Sequence, residues 1–508
     1  MLTDTMFACP AAAGAADAAT TEADLNQWLV GAEYAVRGEI LDRSEVLQKQ
    51  LDAGEKLPFE KIVACNIGNP QALGQKPLSF NRQVLSLVTN PDMLTDSSFK
   101  ELYPPEVVER AEKYTSNIGG GIGAYTNSQG LSVVRQEVAD FIEARDGVGP
   151  ADPESIFLTD GASAGVRMVY TTMIDSSSGN DGLLVPIPQY PLYSALATLH
   201  NAHLVPYYLD EEHGWTLTGA EVERALAEAK TKGIKVRALA IINPGNPTGQ
   251  CLEEKDMVDI VKVAAKEGLV LLADEVYQEN VYVEDRNFIS FRKVVKTMAA
   301  SSDAAEAEAG KTVEMISFHS VSKGFIGECG IRGGYFELYN IDPVVKANLY
   351  KLASISLCSN THGQLSVGLM VNPPPAGTKS DDMYQKEKAA TLGSLKRRAS
   401  KLEAALNSLP GMSCQPLTGS MYAFPSITLP AGALAAAKEA GKTADVFYAL
   451  QVLENTGIVM VPGSGFGQKD GTWHFRTTFL PPESEMDGVI ERLGAFHIGF
   501  MEKYSKEL

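Results

Sequence analysis

The sequence predicts an α/β fold in which a large domain holds a mostly parallel sheet flanked by helices, beside a smaller α+β domain. Apolar runs that predict strands alternate with helical stretches between residues 155 and 318. The runs are continuous in valine, isoleucine and leucine, which is typical of parallel strands buried on both faces. A chain of 508 residues is also too long for one ordinary core, so two domains are expected.

The elements of the large domain follow in order along the chain. Residues 105–114 and 131–145 are predicted to be helical ahead of the first strand. Strands are predicted at 155–158, 182–187, 203–209, 236–242, 269–273 and 313–318, and helices at 162–174, 219–230 and 253–266. Helical crossovers between strands imply parallel pairing. Residues 299–311, rich in alanine, serine and glutamate, are predicted to be an exposed insertion.

The two ends of the chain predict the smaller domain. Residues 22–53 have a helical pattern, and residues 61–70 predict a short strand that ends in a turn. After Tyr339 the alternation of strand and helix stops. Helices are then expected at 342–353, 381–407, 443–455 and 483–504, and strands within 412–429 and 458–479. Helices and strands in separate runs are typical of an α+β domain.

The termini carry no clear targeting signal. Residues 1–20 are rich in alanine and threonine, contain two aspartates and have no lysine or arginine. This predicts a disordered tail rather than a transit peptide, which would be arginine-rich and poor in acid. The last residues, Ser505-Lys-Glu-Leu508, match neither the peroxisomal signal nor the endoplasmic-reticulum retention signal. A cytoplasmic location is therefore the expectation.

Composition and charge restrict the class of function. Apolar residues at 44% and charged residues at 21% indicate a soluble globular protein. With 44 basic and 63 acidic residues, the net charge of −19 disfavours nucleic acid and anionic membranes as partners. The six cysteines are scattered without close pairs, so they predict reduced thiols rather than a disulfide framework or a metal site. No apolar run reaches membrane-spanning length.

Candidate ligand-binding residues fall where the predicted strands end. Ligands of open parallel sheets bind outside the carboxyl ends of the strands. The candidates at equivalent strand ends are Gly161, Tyr190, Asn246, Asp274 and Ser320. The amides of Ala162 and Ser163 then open a predicted helix, and a helix N-terminus can bind an anion. Asn246 lies in a turn with two prolines, so it is either a turn residue or a donor to a ligand oxygen.

The stretch from Phe318 to Tyr335 indicates the chemistry of the site. Lys323 follows Ser320 and Ser322, and Arg332 comes nine positions later in a glycine-rich turn. The lysine amine can form a Schiff base with an aldehyde cofactor, while the two hydroxyls and the guanidinium suit a phosphate ester. Asp274 can hold a protonated ring nitrogen, which completes the requirements of pyridoxal phosphate. The alternative is that Lys323 is a solvated residue at a strand end.

Other candidates keep an alternative at this point. The loop Gly119-Gly-Gly-Ile-Gly123 resembles a dinucleotide loop, but a helix precedes it where a strand is required, so this interpretation is rejected. Tyr125 after it is either a packing residue or part of a site. Gly68 is either a turn glycine or a point of close backbone approach. Arg476 stands in an apolar strand and needs an anion, either an internal carboxylate or a substrate carboxylate.

Several longer motifs together carry a family resemblance. They are residues 34–39, 72–77, 188–193, 243–249, 274–278, 327–335 and 461–467. From about Tyr34 onward the chain resembles the fold-type I pyridoxal-phosphate aminotransferases of class I. Within that family it is most similar to the alanine aminotransferase group.

The resemblance implies a role for each candidate residue. Lys323 would hold the cofactor and act as the base at the substrate Cα, and Asp274 would keep the ring nitrogen protonated. At the cofactor ring, the implied residues are Tyr190, which stacks, and Asn246 and Tyr277, which bond to the ring oxygen. At the phosphate they are Tyr125, Ala162, Ser163, Ser320, Ser322 and Arg332. Arg476, Gly68 and Asn246 would bind the substrate α-carboxylate.

The resemblance also implies a homodimer with shared active sites, because Tyr125 would reach the phosphate of the neighbouring subunit. One feature departs from the wider family. Arg332 follows Lys323 by one position more than in many of its members. The turn at 327–330 must absorb the additional residue.

The expected organisation and function follow from the resemblance. Residues 1–20 would be the tail, 21–105 the first part of the small domain with a dimer arm, 106–345 the cofactor-binding domain and 346–508 the rest of the small domain. The expected reaction is reversible ping-pong transamination between L-alanine and 2-oxoglutarate. The alternatives are a glutamate:glyoxylate aminotransferase and, in another class, a non-catalytic effector-binding module of a transcription regulator.

Overall fold

The structure, a computed structural model, describes residues 22–34, 38–284 and 286–506. The tail predicted at 1–20 lies outside these residues. The strands are β1 (Val63–Ala64), β2 (Ile156–Thr159), β3 (Asp181–Ile187), β4 (His203–Tyr208), β5 (Lys235–Ile242), β6 (Val270–Asp274), β7 (Glu314–Ser320), β8 (Gly334–Tyr339), β9 (Met412–Ser413), β10 (Tyr422–Ala423), β11 (Ser426–Ile427), β12 (Ile458–Val459), β13 (Val461–Pro462) and β14 (Phe475–Thr478).

Helices surround these strands. They are α1 (Gln27–Val30), α2 (Glu39–Asp52), α3 (Ser79–Thr89), α4 (Ser97–Lys100), α5 (Pro105–Asn117), α6 (Ser132–Asp146), α7 (Ala162–Met173), α8 (Pro191–Leu199), α9 (Gly219–Thr231), α10 (Glu254–Glu267), α11 (Phe291–Ala299), α12 (Ala304–Thr312), α13 (Pro343–Ile355), α14 (Thr361–Val371), α15 (Lys379–Asn407), α16 (Ala431–Glu439), α17 (Ala444–Thr456) and α18 (Glu483–Ser505). No helix of the described ranges is both long and apolar enough to span a membrane.

A seven-stranded sheet forms the centre of the larger part, in the order β2–β8–β7–β6–β5–β3–β4. Neighbouring strands run parallel except for β8, which is antiparallel to both β2 and β7. The predicted mostly parallel sheet is therefore confirmed. Strand β8 was not predicted, because it follows the glycine-rich turn after β7 directly and no helical crossover announces it.

Both faces of this sheet are covered. Leu184, Leu239 and Leu271 belong to a core with the helices α9, α10 and α11 on one face. Leu183, Ala238 and Leu272, each next to one of these in sequence, belong to a second core with α7 and α8. Successive side chains of a strand point to opposite faces, so two covered faces require the continuous apolar runs seen in the sequence.

Two element predictions are wrong. Residues 304–312 form α12 rather than an exposed insertion, and Gly310 packs so closely on α11 that a Cβ there would lie 2.9 Å from the Ala299 Cα. The small residues that suggested a surface loop instead allow two helices to approach. The single helix predicted at 22–53 is interrupted: α1 ends at Gly31 and α2 begins after Gly38.

The smaller part is built from both ends of the chain. Ile40, Leu47 and Phe59 share one core with residues of α15, α17 and α18. The short strands β1 and β12 pair in parallel, with Val63 opposite Ile458. This arrangement brings the turn after β1 and the strand β14 over the carboxyl ends of the central sheet. The domain limits given above remain a prediction.

Candidate active site

A cavity of about 230 Å³ lies where the central sheet meets the smaller part. It collects nearly every residue that the sequence proposed for the site: Gly68, Ala162, Ser163, Tyr190, Asn246, Asp274, Tyr277, Ser320, Ser322, Lys323, Arg332 and Arg476. The exception is Tyr125, which does not line the cavity and is 77% exposed. Parallel strands explain the convergence, because their carboxyl ends share one edge of the sheet.

Lys323 is partly buried and is not a solvated strand-end residue. Its Nζ donates a hydrogen bond to the carbonyl oxygen of Gly68 at 2.8 Å. A Cβ on Gly68 would lie 2.9 Å from this Nζ and overlap the hydroxyl of Tyr422. Gly68 is therefore a point of close backbone approach, and the smaller part holds the lysine amine in the cavity.

Hydrogen-bond donors suited to an anion converge at one end of the cavity. The hydroxyl of Ser320 lies 3.0 Å from both the hydroxyl and the amide nitrogen of Ser322. The amides of Ala162 and Ser163 open α7, and the guanidinium of Arg332 is so close to Gly161 that a Cβ there would lie 2.9 Å from Arg332 Cζ. Two hydroxyls, a helix N-terminus and a guanidinium match a phosphate ester.

The turn that carries Arg332 accommodates the additional residue through left-handed backbone conformations. Gly324 and Gly327 have φ angles of 67° and 63°, and Arg332 itself has a φ of 61°. Its side chain donates to the carbonyl oxygens of Cys329 and Asp160, at 3.1 and 3.0 Å. These bonds fix the guanidinium beside the start of α7.

Asp274 lies at the bottom of the cavity as the last residue of β6 and is 5% exposed. One carboxylate oxygen accepts a hydrogen bond from the Tyr193 hydroxyl at 2.8 Å, and the other accepts one from the Val276 amide at 3.4 Å. Burial raises the pKa of Asp274 to about 6, although these bonds and the charge of Lys323 oppose the rise. A buried carboxylate of this kind is best stabilised by a cationic partner.

Aromatic side chains line the remaining walls. Tyr277 is 2% exposed and meets the ring of Tyr422 edge-on at 6.1 Å between centroids. Tyr190 faces the cavity from the residue before α8. Its hydroxyl lies 3.1 Å from the hydroxyl of Tyr34.

Arg476 is a buried cation that lacks a carboxylate partner among the described residues. It lies in β14 and is 1% exposed. One terminal nitrogen donates to Asn246 Oδ1 at 3.1 Å, another donates to the Asn66 carbonyl oxygen, and Nε has no partner in the described part of the chain. The Cζ atom lies 4.2 Å from the ring centroid of Tyr422. Because burying an unpaired charge is costly, this geometry favours an external carboxylate over an internal one.

The sequence missed several residues of the cavity. Tyr34 begins a motif that had been quoted, but nothing in its neighbourhood indicated a site. Tyr193 lies in the motif after Tyr190, and its position behind Asp274 depends on the helix geometry of α8. Tyr422 had no distinguishing signal within an apolar stretch.

The residues present fit pyridoxal phosphate. The donor cluster matches the phosphate, the partly buried Lys323 amine matches the aldehyde, and the buried carboxylate of Asp274 matches a protonated ring nitrogen. The orphaned Nε of Arg476, in the same cavity, leaves a place for the carboxylate of an amino acid.

Comparisons with known proteins agree with this site. A family model described as aminotransferase class I and II matches residues 86–493. The chain is 56% identical over 479 residues to the Dictyostelium discoideum protein named "Probable alanine aminotransferase, mitochondrial", covering 93% of this chain and 88% of the relative. It is 50% identical over 480 residues to glutamate–glyoxylate aminotransferase 1 of Arabidopsis thaliana, covering 94% and 96%.

A solved structure bears on the fold. Alanine aminotransferase from Pyrococcus furiosus has a TM-score of 0.71 and 23% sequence identity, covering 94% of this chain and all of that chain, or 100%. The likeness supports the aminotransferase fold of type I that the sequence predicted.

Proposed function

We propose, from the premise that this chain belongs to the family of class I and II aminotransferases, that it transfers an amino group reversibly between L-alanine and 2-oxoglutarate. The products are pyruvate and L-glutamate, and the two substrates react in turn. The observation that carries the proposal is the buried Arg476, which has no carboxylate partner among the described residues and lies in the same cavity as Lys323. The 56% identity to a protein named as an alanine aminotransferase supports the choice of substrate.

The residues of the cavity divide the work of this reaction. Arg476 binds the α-carboxylate of the amino acid, and Asn246 holds the guanidinium in place through the 3.1 Å bond. Lys323 Nζ takes the proton from the substrate Cα and returns one at the end of each half-reaction. Pyridoxal phosphate, when bound, supplies an electron sink for the charge that this proton transfer leaves behind. Asp274 stabilises positive charge on the ring nitrogen.

A spectroscopic and coupled assay tests the proposal. The purified protein should absorb in the visible region, and the absorbance should decrease on addition of L-alanine or L-glutamate as the bound cofactor accepts the amino group. Pyruvate should form from L-alanine in the presence of 2-oxoglutarate. Glycine serves as the matched control, since its amino group yields glyoxylate.

Each result of this assay has one meaning. Efficient use of glyoxylate with little release of pyruvate would replace the proposal by a glutamate:glyoxylate aminotransferase, which the 50% identity to such an enzyme makes the second candidate. A colourless protein that takes up no added pyridoxal phosphate would remove the enzymatic reading and favour a non-catalytic module.

We also propose that the chain acts as a homodimer in which Tyr125 completes the site of the other subunit. Tyr125 is 77% exposed and lies outside the cavity of its own chain, which supports a role across an interface. Hybrid dimers test this. Lys323→Ala and Tyr125→Ala should each be impaired alone, but a hybrid of the two has one site with both native residues and should recover activity.

The hybrid experiment separates the two arrangements. If Tyr125 served its own chain, neither site of the hybrid would be intact and no activity would return. Homodimers of each single variant, refolded by the same procedure, are the controls.

A further inference from the structure

Behind the cavity, a tyrosine that no cofactor or substrate needs to touch is bonded directly to Asp274. The hydroxyl of Tyr193 donates to Asp274 Oδ2 at 2.8 Å, and Tyr193 is fully buried, with 0% exposure. Tyr193 lies in the first turn of α8, three residues after Tyr190, and does not line the cavity. One helical turn thus carries one tyrosine into the cavity and one behind the carboxylate.

We propose that Tyr193 is a positioning residue for the cofactor: its hydroxyl holds the Asp274 carboxylate charged and oriented toward the ring nitrogen of pyridoxal phosphate. This inference rests on cofactor binding and goes beyond the choice of substrates. A buried carboxylate keeps its charge when donors bond to it, and Asp274 has few such donors. The only other hydrogen bond to the carboxylate among the described residues is the 3.4 Å bond from the Val276 amide.

The surroundings of Asp274 make this phenol decisive. Burial is the main influence on the pKa of Asp274 and raises it to about 6, whereas the Tyr193 hydrogen bond is the first of the influences that lower it. The charged or titratable groups around the pair are Lys323 from the loop after β7, Tyr190 on the approach to α8 and Tyr170 on α7. Burial and the negative charge of Asp274 raise the pKa of Tyr193 itself, so the phenol remains a donor.

Tyr170 provides a matched control. It is also buried, belongs to the same core cluster and packs against Tyr193 with ring centroids 6.3 Å apart. Its hydroxyl has no hydrogen-bond partner among the described residues. Tyr170→Phe therefore removes a buried hydroxyl from the same environment without touching Asp274.

The experiment titrates the full-length protein, stripped of its cofactor, with pyridoxal phosphate and no substrate. Tyr193→Phe should weaken the dissociation constant about tenfold, since a hydrogen bond to a charged group is lost. The loss of affinity on acidification should also begin at a higher pH than in the native protein, because the pKa of Asp274 rises further without its donor. Tyr170→Phe should bind as the native protein does.

A second comparison keeps the inference falsifiable if Tyr193→Phe folds poorly. On the Asp274→Asn background, adding Tyr193→Phe should leave the affinity for pyridoxal phosphate unchanged, because the charged acceptor is already gone. An equal loss on both backgrounds would show that the hydroxyl acts through packing, and native-like affinity and pH dependence of Tyr193→Phe would overturn the proposal. Because no substrate is present, an incorrect choice of amino acid leaves the outcome unaffected.

Discussion

Replacing Lys323 with alanine should reduce transamination by at least about 10³-fold, because the variant loses both its amine nucleophile and its base. Lys323 is the one lysine that lines the cavity in the described part of the chain, so no neighbouring amine can take over. The fold should persist, since the lost contact is a single hydrogen bond to the Gly68 carbonyl oxygen. The coupled pyruvate assay measures the rate, and circular dichroism with thermal melting checks the fold.

Two further variants separate chemistry from charge. Lys323→Arg keeps a positive side chain of similar reach, but a guanidinium is not deprotonated in proteins, so the rate should stay as low as in the alanine variant. Lys388→Ala removes a lysine that contacts Phe325 and Glu279 outside the cavity, and its rate should be native. Turnover of Lys323→Arg within tenfold of the native rate would mean that charge alone is required.

The central sheet and the polar residues at its edge were predictable for one physical reason. Strands covered on both faces must be apolar throughout, and parallel strands end at one edge, so Asn246, Asp274 and Ser320 could be placed together from their positions along the chain. Asp274 and Ser320 are indeed the last residues of β6 and β7. The roles assigned to these residues at the cofactor remain predictions.

The missed features depend on contacts between distant segments. Tyr193 approaches Asp274 only because α8 packs on the sheet across from β6, and a helical period does not reveal which neighbour its side chain meets. Residues 304–312 looked like an exposed insertion because alanine and glutamate carry little apolar pattern. Their helix is held by the close approach of Gly310 to α11, a contact that local sequence does not encode.

Replacing Asp274 with asparagine should have the second large effect, a loss of about 10³-fold in kcat. An amide of nearly the same shape cannot hold positive charge on the ring nitrogen, so the electron sink is weakened where the substrate Cα loses its proton. Asp181→Asn is a matched control. Asp181 is 2% exposed at the first residue of β3, at the opposite edge of the same sheet, and pairs with Arg237 at 2.7 Å. This control should lower stability and leave kcat native.

The same substitution should stabilise the cofactor-free protein at neutral pH. The pKa of Asp274 is raised to about 6 in the folded chain by burial, above the value near 4 of an unfolded aspartate. The folded state therefore binds its proton more tightly, and the free energy of unfolding falls as pH rises from about 4 to 6, by up to about 3 kcal/mol for two pKa units. Asp274→Asn lacks this decline.

Urea unfolding of the two cofactor-free proteins at pH 4.5 and pH 7.5 measures the difference. The native protein should lose more stability than the variant between these pH values, and saturating pyridoxal phosphate should reverse the order at pH 7.5, because the cofactor supplies the cation that the buried carboxylate lacks. Equal pH dependence of both cofactor-free proteins would show that Asp274 carries no such cost. A site of this kind is unfavourable until it is filled, and the unfavourable charge is the one that holds the cofactor.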